Sequence, residues 1–194
     1  MFNNHPELDR IGVKIRDVDS RYPPIMRMGI SIDEMIYLAR RLKGMISTPA
    51  LDLMCGNCLI SVLLSKMLNT KVHAIDDWSQ FPIERAKKNI LEDSADVELL
   101  TLKSLDDPLP FESSYFNTVF SVMYLSNIRS EKRIRLGNEI SRVLKENGKF
   151  IVVDTMVFRT KIRRDLEGIF KLEWYGEENG FSFFLFRKLN SNHA

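Results

Sequence analysis

Two stretches of this chain have residue types and spacing that could do chemistry. The first is Cys55-Gly56-Asn57-Cys58, a C-x-x-C turn that follows the short apolar run Ala50 to Met54 and opens a helix from about Asn57. A helix N-terminus lowers the pKa of the first cysteine, and the second can resolve a mixed disulfide, so the turn can be read as a redox pair. It can also be read as a nucleotide-cradling loop that keeps one glycine, or as small semi-apolar side chains filling a tight bend. The second stretch is Arg159, Lys161, Arg163 and Arg164, basic enough to attract phosphate. Without interleaved aromatics or an overall basic excess it reads as a solvated helix face.

Composition narrows the choice. The 194 residues suit one domain, and 44% hydrophobic with 28% charged residues is ordinary for a globular chain. A net charge of +2 gives no electrostatic footprint for nucleic acid. Only two cysteines are present, which excludes a disulfide-stapled secreted fold. His5, His73 and His193 have no ligand-like spacing to them, so no metal site is expected. "MFNNHPELDR" lacks the plan of a secretory signal. No apolar run reaches the ~18 residues of a membrane span, so a cytoplasmic protein is expected.

The elements that must position these residues follow from periodicity. Residues 1–46 read as a leading loop, "SRYPPIMRM" within it, and a helix capped by Ser31 and Glu34 as a capping box. Residues 47–194 read as the core. After the strand from Ala50, Ile60, Leu63, Leu64, Met67 and Leu68 form one helical face. "KVHAID" is a second strand, and Pro82 starts the helix "FPIERAKKNILED". "VELLTL" and "FNTVFSVMYL" are strands three and four. A helix from about Ser130 to Asn147 is closed by Gly148, and "KFIVVDT" is a strand buried on both faces. "FKLEWYG" and "FSFFLFRKL" flank "EENG" as an antiparallel hairpin. The fold class is therefore α/β: a doubly wound, mostly parallel seven-stranded sheet with a C-terminal antiparallel hairpin and helices on both faces.

A thioredoxin-like domain would be smaller and would set a proline opposite the cysteines, whereas Pro108 and Pro110 lie in a "DDPLPF" loop between strands. The cysteines are therefore expected to be packing residues, not a redox couple. Residues Ala50 to Asp154 instead resemble the class I S-adenosylmethionine-dependent methyltransferases, most closely the small-molecule type with an "LPF…FD" signature. The family loop D-x-G-x-G-x-G falls on Asp52, Met54, Gly56 and Cys58, with Met54 and Cys58 in place of glycines. Met54 is tolerable with its side chain in the core, and Cys58 is expected to need no unusual dihedral. "VHAIDDW" gives the acid that ends strand two. The resemblance implies that Asp76 grips the ribose hydroxyls, with Asp77 as the fallback and Trp78 lying against the adenine. "LPFESSYFNTVFSVMYL" carries Asn117 where the family has an acid, and "RVLKENGKFIVVD" matches the approach to strand five. Lys103, followed by Ser104, stands where the family carries an acid for the adenine amine. An ammonium has no acceptor, so Asp106 or Asp107 is expected to serve.

The resemblance implies S-adenosylmethionine as cofactor and methyl transfer to an acceptor over "SVMYLSNI". Ser121, Val122, Met123 and Tyr124 do not match the Asn/Asp-Pro-Pro-aromatic motif of amine-methylating nucleic-acid enzymes. No Pro-Cys nucleophile is present either. The acceptor is therefore expected to be a small molecule; nucleic acid is not indicated. Tyr124 is the candidate lining residue and Tyr22, in the leading loop, the candidate lid. No catalytic side chain can be assigned, because orientation supplies most of what an in-line displacement needs. The alternative reading is a catalytically silent domain of the same fold that binds a protein or RNA partner. A dinucleotide oxidoreductase ranks third, because G-x-G-x-x-G would need glycines at Met54 and Leu59. His73 reads as a satisfied core histidine, and Met26, Met28, Met35, Met45 and Met67 as packing.

Overall fold

The computed structural model describes residues 6–13 and 30–189. Two leading helices, α1 (Pro6–Arg10) and α2 (Ile32–Lys43), precede the alternating core. The core runs β1 (Ala50–Leu53), α3 (Leu59–Leu68), β2 (Val72–Asp76), α4 (Ile83–Glu92), β3 (Val97–Thr101), β4 (Phe116–Val122), α5 (Ser130–Val143) and β5 (Leu144–Thr155). It closes with α6 (Arg159–Leu166) and the hairpin β6 (Phe170–Glu178) and β7 (Phe181–Lys188). The strands form one seven-stranded sheet of order β3-β2-β1-β4-β5-β7-β6. The first five are parallel, and β7 is antiparallel to both β5 and β6. Strand order reverses at β1, which lies between β2 and β4, so the loops after β1 and β4 part and leave a crevice at the C-terminal ends of the strands.

Each face of the sheet is covered. Ala50, Phe120, Val122, Ile151, Val153, Phe181 and Phe183 pack beneath α2 and α3. Leu51, Leu53, Val119, Phe150, Val152, Phe184 and Phe186 pack beneath α5 and α6. Strand alternation thus sends successive residues to opposite layers. Helix α2 begins with the expected capping box: Ser31 N–H donates to Glu34 Oε2 at 2.7 Å, and Glu34 N–H to Ser31 Oγ at 3.2 Å. The hairpin turns on two residues, Asn179 and Gly180, with φ of 51° and 83°. Two left-handed residues make the tight turn whose twist suits antiparallel strands, so β6 extends to Glu178, further than the sequence pattern implies.

One helix boundary and one helix's burial differ from the sequence expectation. Helix α5 stops at Val143, not Asn147, and Gly148 does not cap it. Leu144 already pairs with Phe116 of β4, and the carbonyls of Arg142 and Val143 accept from Ser114 and Tyr115. The chain is thus drawn into the sheet before the helix can lengthen. Asn147 turns at φ 60°, and Gly148 fits because a Cβ there would meet the Lys145 carbonyl at 2.8 Å. Helix α3 is buried from Leu59 through Ser65, all round its axis and not on one face, because it lies between the sheet and α2.

Candidate functional site

Strand β1 delivers Asp52 and Met54 to the crevice, and the chain bends through residues 54–58 before α3. Met54, Gly56 and Cys58 have φ of 62°, 60° and 56°. All three positions at which the family loop carries glycine are therefore left-handed, although two hold residues with a Cβ. The expectation of an ordinary dihedral at Cys58 fails, because the residue is the N-cap of α3 and must reverse the chain. The Met54 side chain points into the core beside Leu51 and Leu53, as expected. Asn57 adds what no side chain of Cys58 supplies at the helix start: its Oδ1 accepts from Leu59 N–H at 3.1 Å, and Asn89 Nδ2 holds its carbonyl at 2.8 Å.

The loop is tied to the end of β2 through Asp76. One carboxylate oxygen accepts from Gly56 N–H at 2.8 Å and the other from Trp78 N–H at 2.9 Å. The Asp76 carbonyl accepts from Leu102 N–H at 2.9 Å, linking the same residue to the end of β3. Trp78, itself left-handed at φ 57°, sends its indole N–H to Thr101 Oγ1 at 2.9 Å. Its ring packs against Cys55, Cys58, Ala74 and Ala86. Asp77 turns away and accepts from the Ser79 N–H and hydroxyl at 2.9 and 2.6 Å.

Asp52 is buried beneath the loop, where Ser61 Oγ of α3 donates to its Oδ2 at 2.5 Å. Burial pushes its pKa from 3.8 up to about 7; the Ser61 hydrogen bond opposes the rise and the nearby Asp76 charge adds to it. Ser61 was not foreseen, although a serine facing the sheet within the otherwise apolar run Leu59–Leu64 is the signal that could have revealed it.

A cleft of about 400 Å³ opens beside the end of β3, lined by Thr101, Leu102, Lys103, Asp107, Pro108 and Pro110. Small-molecule sites have volumes in this range. None of Met54, Cys55 or Cys58 lines it. Lys103 and Asp107 share the cleft, whereas Asp106 faces α5, where Lys132 Nζ donates to it at 2.8 Å and holds its carboxyl below the usual range. Ser104 lies just outside, its Oγ accepting from Asp106 N–H at 3.1 Å. The "LPF" loop, whose Pro110 lines the cleft, is pinned by α5. Arg142 donates to the Leu109 and Phe111 carbonyls at 2.9 and 2.8 Å, and Glu139 accepts from Leu109 N–H at 2.9 Å.

Beyond β4, Met123 is left-handed (φ 55°) and Tyr124 is buried against Leu125 in the core layer beneath α5. The short 3-10 turn Leu125–Asn127 is held from two sides. Buried Asp154, at the end of β5, accepts Ser126 N–H at 2.9 Å. Buried Arg133 of α5 donates to the Leu125 carbonyl at 2.9 Å, also to that of Ile128, and pairs with Asp165 of α6 at 2.8 Å. Burial would raise the Asp165 pKa, yet hydrogen bonds from Arg164 and Arg133 hold it low. Tyr22, Met26 and Met28 lie outside the described residues.

Two further expectations resolve away from the crevice, and a third within its loop. Asn117 donates to the Thr48 carbonyl at the opposite end of the sheet and has a structural role. His73 is buried against the edges of Phe111, Tyr115 and Phe116, and burial lowers its pKa. It is not fully satisfied: Nδ1 lacks a hydrogen bond, with Glu98 Oε2 3.4 Å away. The cysteines are not separate thiols. Cys55 and Cys58 are joined as a disulfide across the turn, with Cα atoms 4.7 Å apart. This corrects the reading of the pair as packing alone, although both also pack against Ala74 and Ala86.

A reversal of strand order at β1, a left-handed turn after it and an acid at the end of β2 binding that turn are common to Rossmann-like nucleotide-binding folds. Strand β7, inserted antiparallel between β5 and β6, turns the architecture toward a class I S-adenosylmethionine-dependent methyltransferase. The sequence profile of the family described as a methyltransferase domain matches residues 50–148 of the 194, and the chain belongs to that family. S-adenosylmethionine is its cofactor. The fold is similar to that of a Pyrococcus horikoshii OT3 protein, with a TM-score of 0.71 at 18% identity over 81% of this chain and 91% of that one. It is similar also to a SAM-dependent methyltransferase of Aquifex aeolicus, with a TM-score of 0.65 at 15% identity, covering 83% of this chain and all of that one (100%). The [4+2]-cyclase SpnF superposes with a TM-score of 0.69 at 14% identity, covering 94% of this chain and 91% of that one. Such likenesses speak to fold alone. No curated protein matches the chain by sequence. Among the described residues, no helix is long and apolar enough to cross a membrane.

Proposed function

We propose that this enzyme methylates a small-molecule acceptor, with Asp76 holding the ribose of S-adenosylmethionine and the cleft beside β3 taking the adenine. The observation that carries the reading is the pair of hydrogen bonds from Gly56 and Trp78 to the two oxygens of Asp76, which fixes the carboxylate between loop and cleft. A carboxylate has about four acceptor sites, so it can serve the loop and a ribose together. Asp107 takes the adenine amine from within the cleft, replacing the contact that Lys103 cannot make. Asp52 braces the loop through Ser61. Trp78 supplies an indole wall between the loop and Thr101.

S-adenosylmethionine supplies an activated methyl group, so the chain's own work is to orient and to exclude water. The acceptor approaches over Met123 and the 3-10 turn, whose position Asp154 and Arg133 fix. Tyr124 supports that surface from below, and Tyr22 is the proposed cover. A small acceptor is favoured over nucleic acid because the basic residues of α6 are already paired. Arg159 meets Glu177, Arg163 meets Glu167 and Arg164 meets Asp165, while Lys161 lies over the Phe158 ring. That leaves no row of unpaired cations for phosphates among these four.

Methyl-labelled S-adenosylmethionine incubated with the enzyme and fractionated cell extract tests this. Label is expected in the low-molecular-weight fraction. Label confined to RNA, DNA or protein would reject the acceptor class and leave the cofactor assignment standing.

A further inference from the structure

We propose that the Cys55–Cys58 disulfide is reversible and sets the affinity of the loop for S-adenosylmethionine, the oxidised form binding more tightly. The inference rests on the cofactor reading above. Both cysteines of the chain lie within this loop, one on each side of Gly56, and they are bonded to each other. The bond therefore brackets the N–H that Asp76 receives. Cys58 stands at φ 56°, a conformation that glycine adopts without cost and that an L-residue with a Cβ avoids. No side chain caps the helix from Cys58. The covalent tie to Cys55 adds to the hydrogen bond from Cys58 N–H to the Cys55 carbonyl, at 2.9 Å, in holding it there.

Once the tie is cut, Cys58 can relax toward right-handed or extended backbone, and the Gly56 N–H then moves off Asp76. The oxidised loop is thus preorganised, and the reduced loop must be reordered at each binding event. A left-handed penalty of this size corresponds to a ~5–30-fold change in an equilibrium. The change is local, because α3 and the strands keep their own packing.

The redox step balances with a dithiol such as dithiothreitol. Its thiolate attacks one sulfur of the pair to give a mixed disulfide, and its second thiol closes the cyclic disulfide. Two electrons and two protons pass to the protein, leaving Cys55 and Cys58 as thiols. Cys55 keeps slight solvent exposure (6%) while Cys58 has none, which makes the Cys55 sulfur the point of attack. The reverse reaction with oxidised glutathione restores the bond and yields two glutathione thiols.

The test is calorimetric titration of S-adenosylhomocysteine into the full chain. One sample is treated with oxidised glutathione and one with dithiothreitol, and thiol titration confirms each state. The oxidised protein is expected to bind ~5–30-fold more tightly than the reduced. Cys55→Ser should bind like the reduced protein in both conditions. Cys58→Gly should bind like the oxidised protein in both, because glycine takes the left-handed conformation unaided. Circular dichroism of each sample guards against unfolding. Equal affinity in the two verified states, tighter binding by the reduced state, or failure of oxidised glutathione to remove the thiols overturns the switch and leaves the cofactor assignment intact. Absence of binding in every sample overturns both.

Discussion

The crevice rim and the β5–β7–β6 side of the same sheet are built by opposite means. On the hairpin side each local preference agrees with the fold. Asparagine and glycine occupy the two left-handed positions of the turn, and Phe184 stacks on Phe186 with ring centroids 5.7 Å apart and planes 7° from parallel. Phe150, Phe170 and Phe186 continue that layer beneath α6. At the rim, β1, β2 and β4 each leave the sheet through a left-handed residue that is not glycine: Met54 and Cys58 after β1, Trp78 after β2, Met123 after β4. Each such residue costs about 1–2 kcal/mol. Strain of this kind persists where surrounding structure over-determines it, and it gathers at functional sites. The hairpin side stabilises; the rim uses that stability.

The contrast is sharpest in stability. Phe184→Ala removes a fully buried ring from the aromatic layer and is expected to cost about 3–5 kcal/mol. Urea denaturation measures it. A loss below about 1 kcal/mol would mean that the hairpin contributes little and that the comparison is wrong. Asp76→Ala comes next, and its effect falls on binding. A hydrogen bond to a charged group contributes about 1.5–3 kcal/mol, so affinity for S-adenosylhomocysteine should fall roughly 10–150-fold by calorimetry. Unchanged affinity would move the ribose contact elsewhere. Asp77→Ala, removing a group that only caps Ser79, should leave affinity within error.

Met54→Gly sets two effects of the rim against each other. Glycine relieves a left-handed penalty of about 1–2 kcal/mol, but the buried methionine contributes about 2–5 kcal/mol. Packing outweighs backbone strain, so the variant should be less stable by roughly 1–3 kcal/mol. A stabilised variant would show that the strain is the larger quantity.

These regions also differ in how much the sequence reveals. Alternating strand and helix periods, the capping box at Ser31 and the Asn179-Gly180 turn are local signals, and the sheet follows from them. The end of α5 misleads because Gly148 looks like a cap. The deciding force is the pairing of Leu144 with Phe116, some thirty residues earlier, which no local pattern records. In the site, Asp52, Gly56 and Asp76 stand out by type and spacing. The left-handed backbone at Met54 and Cys58 does not, because neither residue type announces it. Thr101 joins the site by lining the cleft and by accepting from the Trp78 indole, contacts set by strand register. The cysteine pair was visible, but a C-x-x-C that packs and one that bonds share the same letters.

The finest distinction between the regions is one of pH. Ion pairs on the hairpin side and in α5 hold carboxyls low: Arg187 beside Glu173 and Arg142 beside Glu139 stabilise the fold above the ordinary carboxylate pKa and lose effect as pH falls. Asp52 works in the other direction. Its folded pKa is raised to about 7 against 3.8, so between those values the native state binds more protons than the unfolded chain. Its contribution to stability is full below 3.8 and declines as pH rises toward 7. Asp52→Asn keeps the shape and an oxygen to accept from Ser61 Oγ, but does not titrate. The stability of the variant relative to wild type should therefore increase with pH across this window, by at most about 1.4 kcal/mol per pH unit. Urea midpoints from about pH 5 to about pH 8 measure the slope. Parallel curves for the two proteins would show that Asp52 is ionised throughout, and that the rim carries a buried charge where this geometry places a neutral acid.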